Sequence, residues 1–109
     1  MDKVKTYVFD IDGTICKTDG SDYENSAPMN ERIQKVNTLY DEGHTIIFLT
    51  ARGMGRTNND PLLAHHLLHE FTEDQLNEWG VKFHKLFLGK PASDLYIDDK
   101  GISDKDFFE

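Results

Sequence analysis

Asp10 and Asp12 close the apolar run Tyr7-Val8-Phe9 with a single residue between them, and Gly13-Thr14 follow at once. Two carboxylates that close repel each other, so a chain that keeps both holds a cation there or uses a proton. Three more polar stations lie at the ends of β-forming stretches or in turns. Thr50-Ala51-Arg52 follows "TIIFL", Lys90 sits in the turn Gly89-Lys90-Pro91, and Asp98-Asp99 follows Leu95-Tyr96-Ile97. Four unscreened carboxylates sharing a cleft call for a hard divalent cation with oxygen ligands. Mg²⁺ suits that role, since it takes a few carboxylates and keeps several waters. Lys90 and Arg52 would then hold an anion beside the metal; a phosphate fits, with the Thr50 hydroxyl donating to it. A carboxylate at the tip of a strand, Asp10, can attack phosphorus. Asp12 can give a proton to the leaving oxygen and later take one from water. Gly13 allows the tight turn that aims Asp12 back at the site.

These stations need a scaffold that brings strand ends together, and the hydrophobic pattern supplies one. Lys3 to Phe9 reads as a buried strand, and Thr45 to Leu49 as a second. A third is expected around Phe83 to Phe87, and a short fourth over Leu95 to Ile97. Between the first two, Pro28 opens a helix whose apolar positions Met29, Ile33, Val36, Leu39 and Tyr40 recur at helical spacing, with Gly43 as its stop. Asp60-Pro61 starts another helix, with Leu62, Leu63, Leu67 and Leu68 on one face. "TEDQ" reads as a capping box that starts a separate short helix at Thr72, with Gln75 as its partner and Gly80 as its end. Strands alternating with helices imply right-handed crossovers and a parallel sheet, whose ligand site lies beyond the carboxyl ends of the strands. The expected fold is a single α/β domain over residues 1–109, a three-layer Rossmann-like parallel sheet.

The length of 109 residues suits one domain. Twelve basic against twenty acidic residues leave a formal charge of −8, which argues against nonspecific binding to nucleic acid or to an anionic membrane face. No apolar run approaches the roughly 20 residues that span a bilayer, and no signal segment is seen, so a cytoplasmic protein is expected. The single cysteine, Cys16, allows no internal disulfide and has no adjacent base that would make it a nucleophile.

Asp10 to Thr14, "DIDGT", resembles the first motif of the haloacid dehalogenase (HAD) superfamily of phosphatases. "IIFLT" ending at Thr50 resembles its second motif, Lys90 its third, and "YIDDK" its acidic fourth, all in the right order. The resemblance implies a Mg²⁺-dependent phosphoaspartyl mechanism. Asp10 would be nucleophile and metal ligand, and Asp12 the acid/base with its carbonyl on the metal. Asp99 would be a further ligand, with Asp98 supporting it, and Thr50 and Lys90 would complete the catalytic set. Gly13, Thr14, Ala51 and Arg52 would contact phosphate or substrate. The intervals from Ile15 to Ile46 and from Ala51 to Gly89 leave no room for a cap domain, so a capless member is expected, its site closed by a second copy or open to a large substrate. "TARG" with "WG…GKP…D.YIDDK" further resembles small members from capsule and lipopolysaccharide biosynthesis loci, which implies a small phosphorylated substrate such as a sugar phosphate.

The loop Lys17 to Asn25 leaves the nucleophile directly and suits a substrate flap, with Asp19, Asp22 and Tyr23 in it. His65, His66 and His69 lack a zinc-site partner and read as ordinary helix histidines. Trp79 and the phenylalanines read as core, and Phe107 and Phe108 as docked on the body or on another subunit. Two rival functions use the same residue types: a phospho-aspartate signalling domain, and a HAD-like binding protein without turnover.

Overall fold

The computed structural model describes residues 3–109. Three parallel strands, β1 (Thr6–Phe9), β4 (Thr45–Thr50) and β5 (Lys85–Leu88), form a sheet in the order β1-β4-β5. Phe9 pairs with Phe48, and Thr50 with Leu88, so all three strands run out at the same end. Between them come α1 (Asn30–Asp41) and α2 (Pro61–Glu78), and the chain closes with α3 (Asp104–Phe108). Two short strands, β2 (Cys16–Lys17) and β3 (Ala27–Pro28), pair antiparallel and frame the loop that carries a 3-10 turn at Tyr23–Asn25.

The alternation of burial along the strands locates the core. Phe9, then Ile46, Phe48 and Thr50, then Leu86 and Leu88 are buried on one face, packed with Ile33, Val36 and Leu76 of the helices. Burying a side chain the size of Ile46 or Phe48 contributes about 1.5–3 kcal/mol. Topology explains the choice of face. Both crossovers step in the same direction along the sheet, and right-handed crossovers of that kind put both helices on one side. On the other side Val8 and Phe87 are about half exposed. The second helical layer of the expected three-layer packing is not seen there among the described residues.

Five boundaries differ from the sequence reading. The first strand begins at Thr6, three residues after the expected Lys3. Pro28 lies in β3, opposite Cys16, and α1 begins at Asn30, because the ribbon and the Met29 N–H bond to the Ile15 carbonyl carry the chain past the proline first. The third strand begins two residues late. His84 bonds Ile46 through its own N–H and by accepting at Nδ1, so a ring replaces one rung of the ladder. No second helix starts at Thr72; α2 runs unbroken through it. Leu95–Ile97 is not a strand. Local bonds, from Ser93 Oγ to the Leu95 carbonyl and from the Tyr96 hydroxyl to the Pro91 carbonyl, replace a ladder there. No helix among the described residues is long and apolar enough to cross a membrane.

Candidate active site

The tip of β1 is built by the sequence just after it. Asp10 leaves the strand, and Ile11 and Ile15 are fully buried, which anchors the next turn at both ends. Within that turn the N–H groups of Thr14 and Ile15 both donate to the Ile11 carbonyl, and Gly13, at φ +84°, donates to Cys16. A residue with a Cβ rarely adopts that φ, which accounts for glycine at position 13. Asp12 is thereby held beside the strand exit.

Thr50 ends β4 and is 1% exposed. Its hydroxyl accepts from the Arg52 N–H at 3.2 Å, and its carbonyl accepts from the Gly89 and Lys90 N–H groups, each at 3.2 Å. One threonine therefore ties the loop after β4 to the turn after β5. That turn brings Lys90 Nζ to 3.9 Å from Asp10 Oδ1, while the same ammonium lies 4.3 Å from the centre of the Tyr96 ring. Burial raises the Asp10 carboxyl above its ordinary value, and the Lys90 charge offsets part of that rise.

Asp12 has a different environment. Arg52, fully buried, takes both of its oxygens: Nε donates to Oδ2 and Nη2 to Oδ1, each at 2.9 Å. Thr18 Oγ1 donates to Oδ1 at 2.6 Å. Burial pushes the Asp12 carboxyl upward, but the bonds from Arg52 and Thr18 outweigh it and hold it below the ordinary range. The Cys16 thiol is buried against this pair and pushed up to about 11, which leaves it protonated and inert.

Of the residues expected from sequence, Thr50 is the last residue of β4, and Asp10, Asp12, Gly13, Thr14, Ala51, Arg52, Gly89 and Lys90 sit on the loops at the carboxyl ends of the strands. Thr14 takes part through its backbone, its carbonyl accepting from Arg32 at 3.1 Å. Asp98 and Asp99 lie on an exposed stretch after Ile97, itself 95% exposed, and Asp98 Oδ1 accepts from the Lys100 N–H. Among the described residues no three or more His, Cys, Asp or Glu side chains gather as a group that could hold a metal ion. Asp98 and Asp99 do not join Asp10 and Asp12 in such a group, because the strand expected to deliver them does not form. His65 and His69 stack on each other along α2, ring centres 4.3 Å apart.

The fold has a known counterpart. It is similar to the crystal structure of a structural-genomics target from Vibrio cholerae, with a TM-score of 0.86 and 25% sequence identity over 95% of this chain and 87% of the other. No protein-family model and no curated protein matches the chain.

Thr18, Thr72 and Gln75 were not expected in the site. Thr18 gives no signal in a polar loop. Thr72 and Gln75 do carry one: a threonine and a glutamine three apart in a helix share a face, and here that face meets Arg52, with Thr72 Oγ1 at 3.4 Å and Gln75 Oε1 at 2.7 Å from Nη1.

Proposed function

We propose that the chain is a capless HAD-type phosphatase: a Mg²⁺-dependent cytoplasmic phosphomonoester hydrolase that works through an aspartyl-phosphate on Asp10. Its substrate would be a small phosphorylated metabolite, in the first place a sugar phosphate of surface-polysaccharide synthesis. The observation that carries the reading is the pairing at the tip of β1. One carboxylate, Asp10, faces a lysine ammonium and has no bidentate partner, while its neighbour Asp12 is fully engaged. An unclamped carboxylate beside a cation suits attack on a phosphate that the same cation attracts.

In the reaction, an Asp10 oxygen bonds to phosphorus as the phosphorus–oxygen bond of the ester breaks, and the leaving oxygen takes a proton from Asp12. Water then attacks the phosphorus and gives a proton to Asp12. Phosphate departs, and the Asp10 carboxylate is restored. Lys90 and the Thr50 hydroxyl hold the phosphoryl oxygens. A magnesium ion would supply charge neutralisation at those oxygens when bound. Of its expected ligands, Asp10 and the Asp12 carbonyl are at the site, whereas Asp98 and Asp99 are not gathered with them.

The test is phosphate release from p-nitrophenyl phosphate and a panel of sugar phosphates, with magnesium and with excess EDTA. Turnover is expected only with the metal. Asp10→Asn and Asp12→Asn are each expected to lower kcat by about 10³-fold or more. A phosphoryl group that stays on Asp10 for hours would instead indicate signalling, and binding without turnover a silent relative.

A further inference from the structure

Gln75 stands on the inner face of α2, a buried residue 23 positions from Arg52 in sequence, and joins two parts of the site. Its Oε1 accepts from Arg52 Nη1 at 2.7 Å, and its Nε2 donates to the Tyr23 carbonyl at 2.7 Å. Tyr23 in turn lays its ring on the Arg52 guanidinium, 4.6 Å from its centre. The arginine is thus held by the helix, by Thr72 and by the loop between β2 and β3, and every remaining donor it directs at a side chain goes to Asp12. No donor of that fork is turned toward Asp10 or Lys90 by any of these bonds.

We infer that Gln75 and Arg52 are positioning residues that act in series: Gln75 fixes the Arg52 fork, and the fork fixes the orientation of the Asp12 carboxylate. This rests on the phosphatase reading, in which Asp12 handles the proton. Arg52 is then a clamp on the acid/base and not a contact to the phosphate. A planar guanidinium gripping both carboxylate oxygens sets the plane of the carboxyl group as well as its place, which a lysine cannot do. The helix contributes because the fork would otherwise be free to pivot about Nε. The loop contributes because its Tyr23 carbonyl fixes which end of the Gln75 amide faces the arginine.

Three variants of the full chain separate the outcomes. Gln75→Leu removes both bonds at similar volume, Gln75→Glu keeps an acceptor for Arg52, and Arg52→Lys keeps the charge but loses the fork. With the most active phosphate ester, Gln75→Leu and Arg52→Lys are expected to lower kcat by about 10–100-fold, with KM and competitive inhibition by inorganic phosphate unchanged. Gln75→Glu is expected to recover most of the rate lost in Gln75→Leu. The loss should be larger for alkyl phosphates than for p-nitrophenyl phosphate, whose leaving group departs with little help from a proton. A weakened inhibition by phosphate in Arg52→Lys would make Arg52 a phosphate contact and overturn the inference. An unchanged kcat in a folded Gln75→Leu would do so too. Independently of turnover, the Arg52 Nε–H should exchange slowly with solvent in the wild type and faster in Gln75→Leu by NMR; equal exchange rates would overturn the link. A wild type without turnover on any ester would instead sink the phosphatase reading itself.

Discussion

Asp10 and Asp12 are the same residue type two positions apart, and the structure pushes their carboxyl groups in opposite directions. Burial raises Asp10, and Lys90 only partly compensates; the bonds from Arg52 and Thr18 lower Asp12. In the free protein these directions are opposite to what the proposed reaction needs, an ionised Asp10 and a protonated Asp12, so binding of metal and substrate has to reverse them. In magnesium-free protein, carbon-detected NMR of the side-chain carboxyls should therefore show Asp10 titrating above 3.8 and Asp12 below it. Lys90→Met removes the cation that lowers Asp10, so its titration should move further up while that of Asp12 holds. If the Asp10 midpoint does not move in Lys90→Met, the 3.9 Å pair is not an interaction in solution. A bound magnesium ion would pull Asp10 down again, so the same titration with metal gives a second and opposite shift.

At the scale of elements, α2 shows both what the sequence discloses and what it hides. Its start is legible: Asp60 precedes Pro61, and its Oδ1 accepts from the Leu62 and Leu63 N–H groups. Asp60→Ala should cost about 1 kcal/mol in chemical denaturation. Its middle misleads. "TEDQ" has the spacing of a capping box, yet the same spacing puts two polar side chains on one helix face, and only the fold reveals that a buried arginine waits there. Pattern reading is local, while the partner lies 20 and 23 residues away. The strand tips are legible for a related reason: an apolar run that ends on a polar residue or a glycine marks the end of a strand, and that singles out Asp10, Thr50 and the turn around Lys90. Leu95–Ile97 has the composition of a strand but only three residues of it. A strand that short needs pairing to persist, and composition says nothing about whether an edge receives it.

At the scale of the molecule, the last helix ties the chain's end back to its beginning. Phe107 and Phe108 of α3 pack on Tyr7 and Phe9 of β1. Arg32 of α1, itself buried, fixes them from the side: it pairs with Asp104 and Glu109 at 2.7 Å each, donates to the Thr14 carbonyl, and lies 4.9 Å from the Phe108 ring centre. Lys35 adds a bond to the Phe107 carbonyl. The guanidinium so links α3, α1 and the turn that carries Asp12, and loosening α3 should be felt at the site. Acid offers a graded way to loosen it. The bond from Arg32 holds the Asp104 carboxyl below its ordinary 3.8. A carboxylate with a depressed native pKa stabilises the fold fully above its unfolded value and loses that contribution as pH falls through the native one. Thermal unfolding should therefore show a melting temperature that declines below about pH 4, with Asp104 contributing to the slope. Asp104→Asn should cost about 1 kcal/mol at pH 7, a modest figure because the carboxylate is a third exposed and Glu109 remains. The two melting curves should converge in acid, where the wild-type carboxyl is also neutral. A constant gap between them at every pH would show that Asp104 acts through packing and not through its charge.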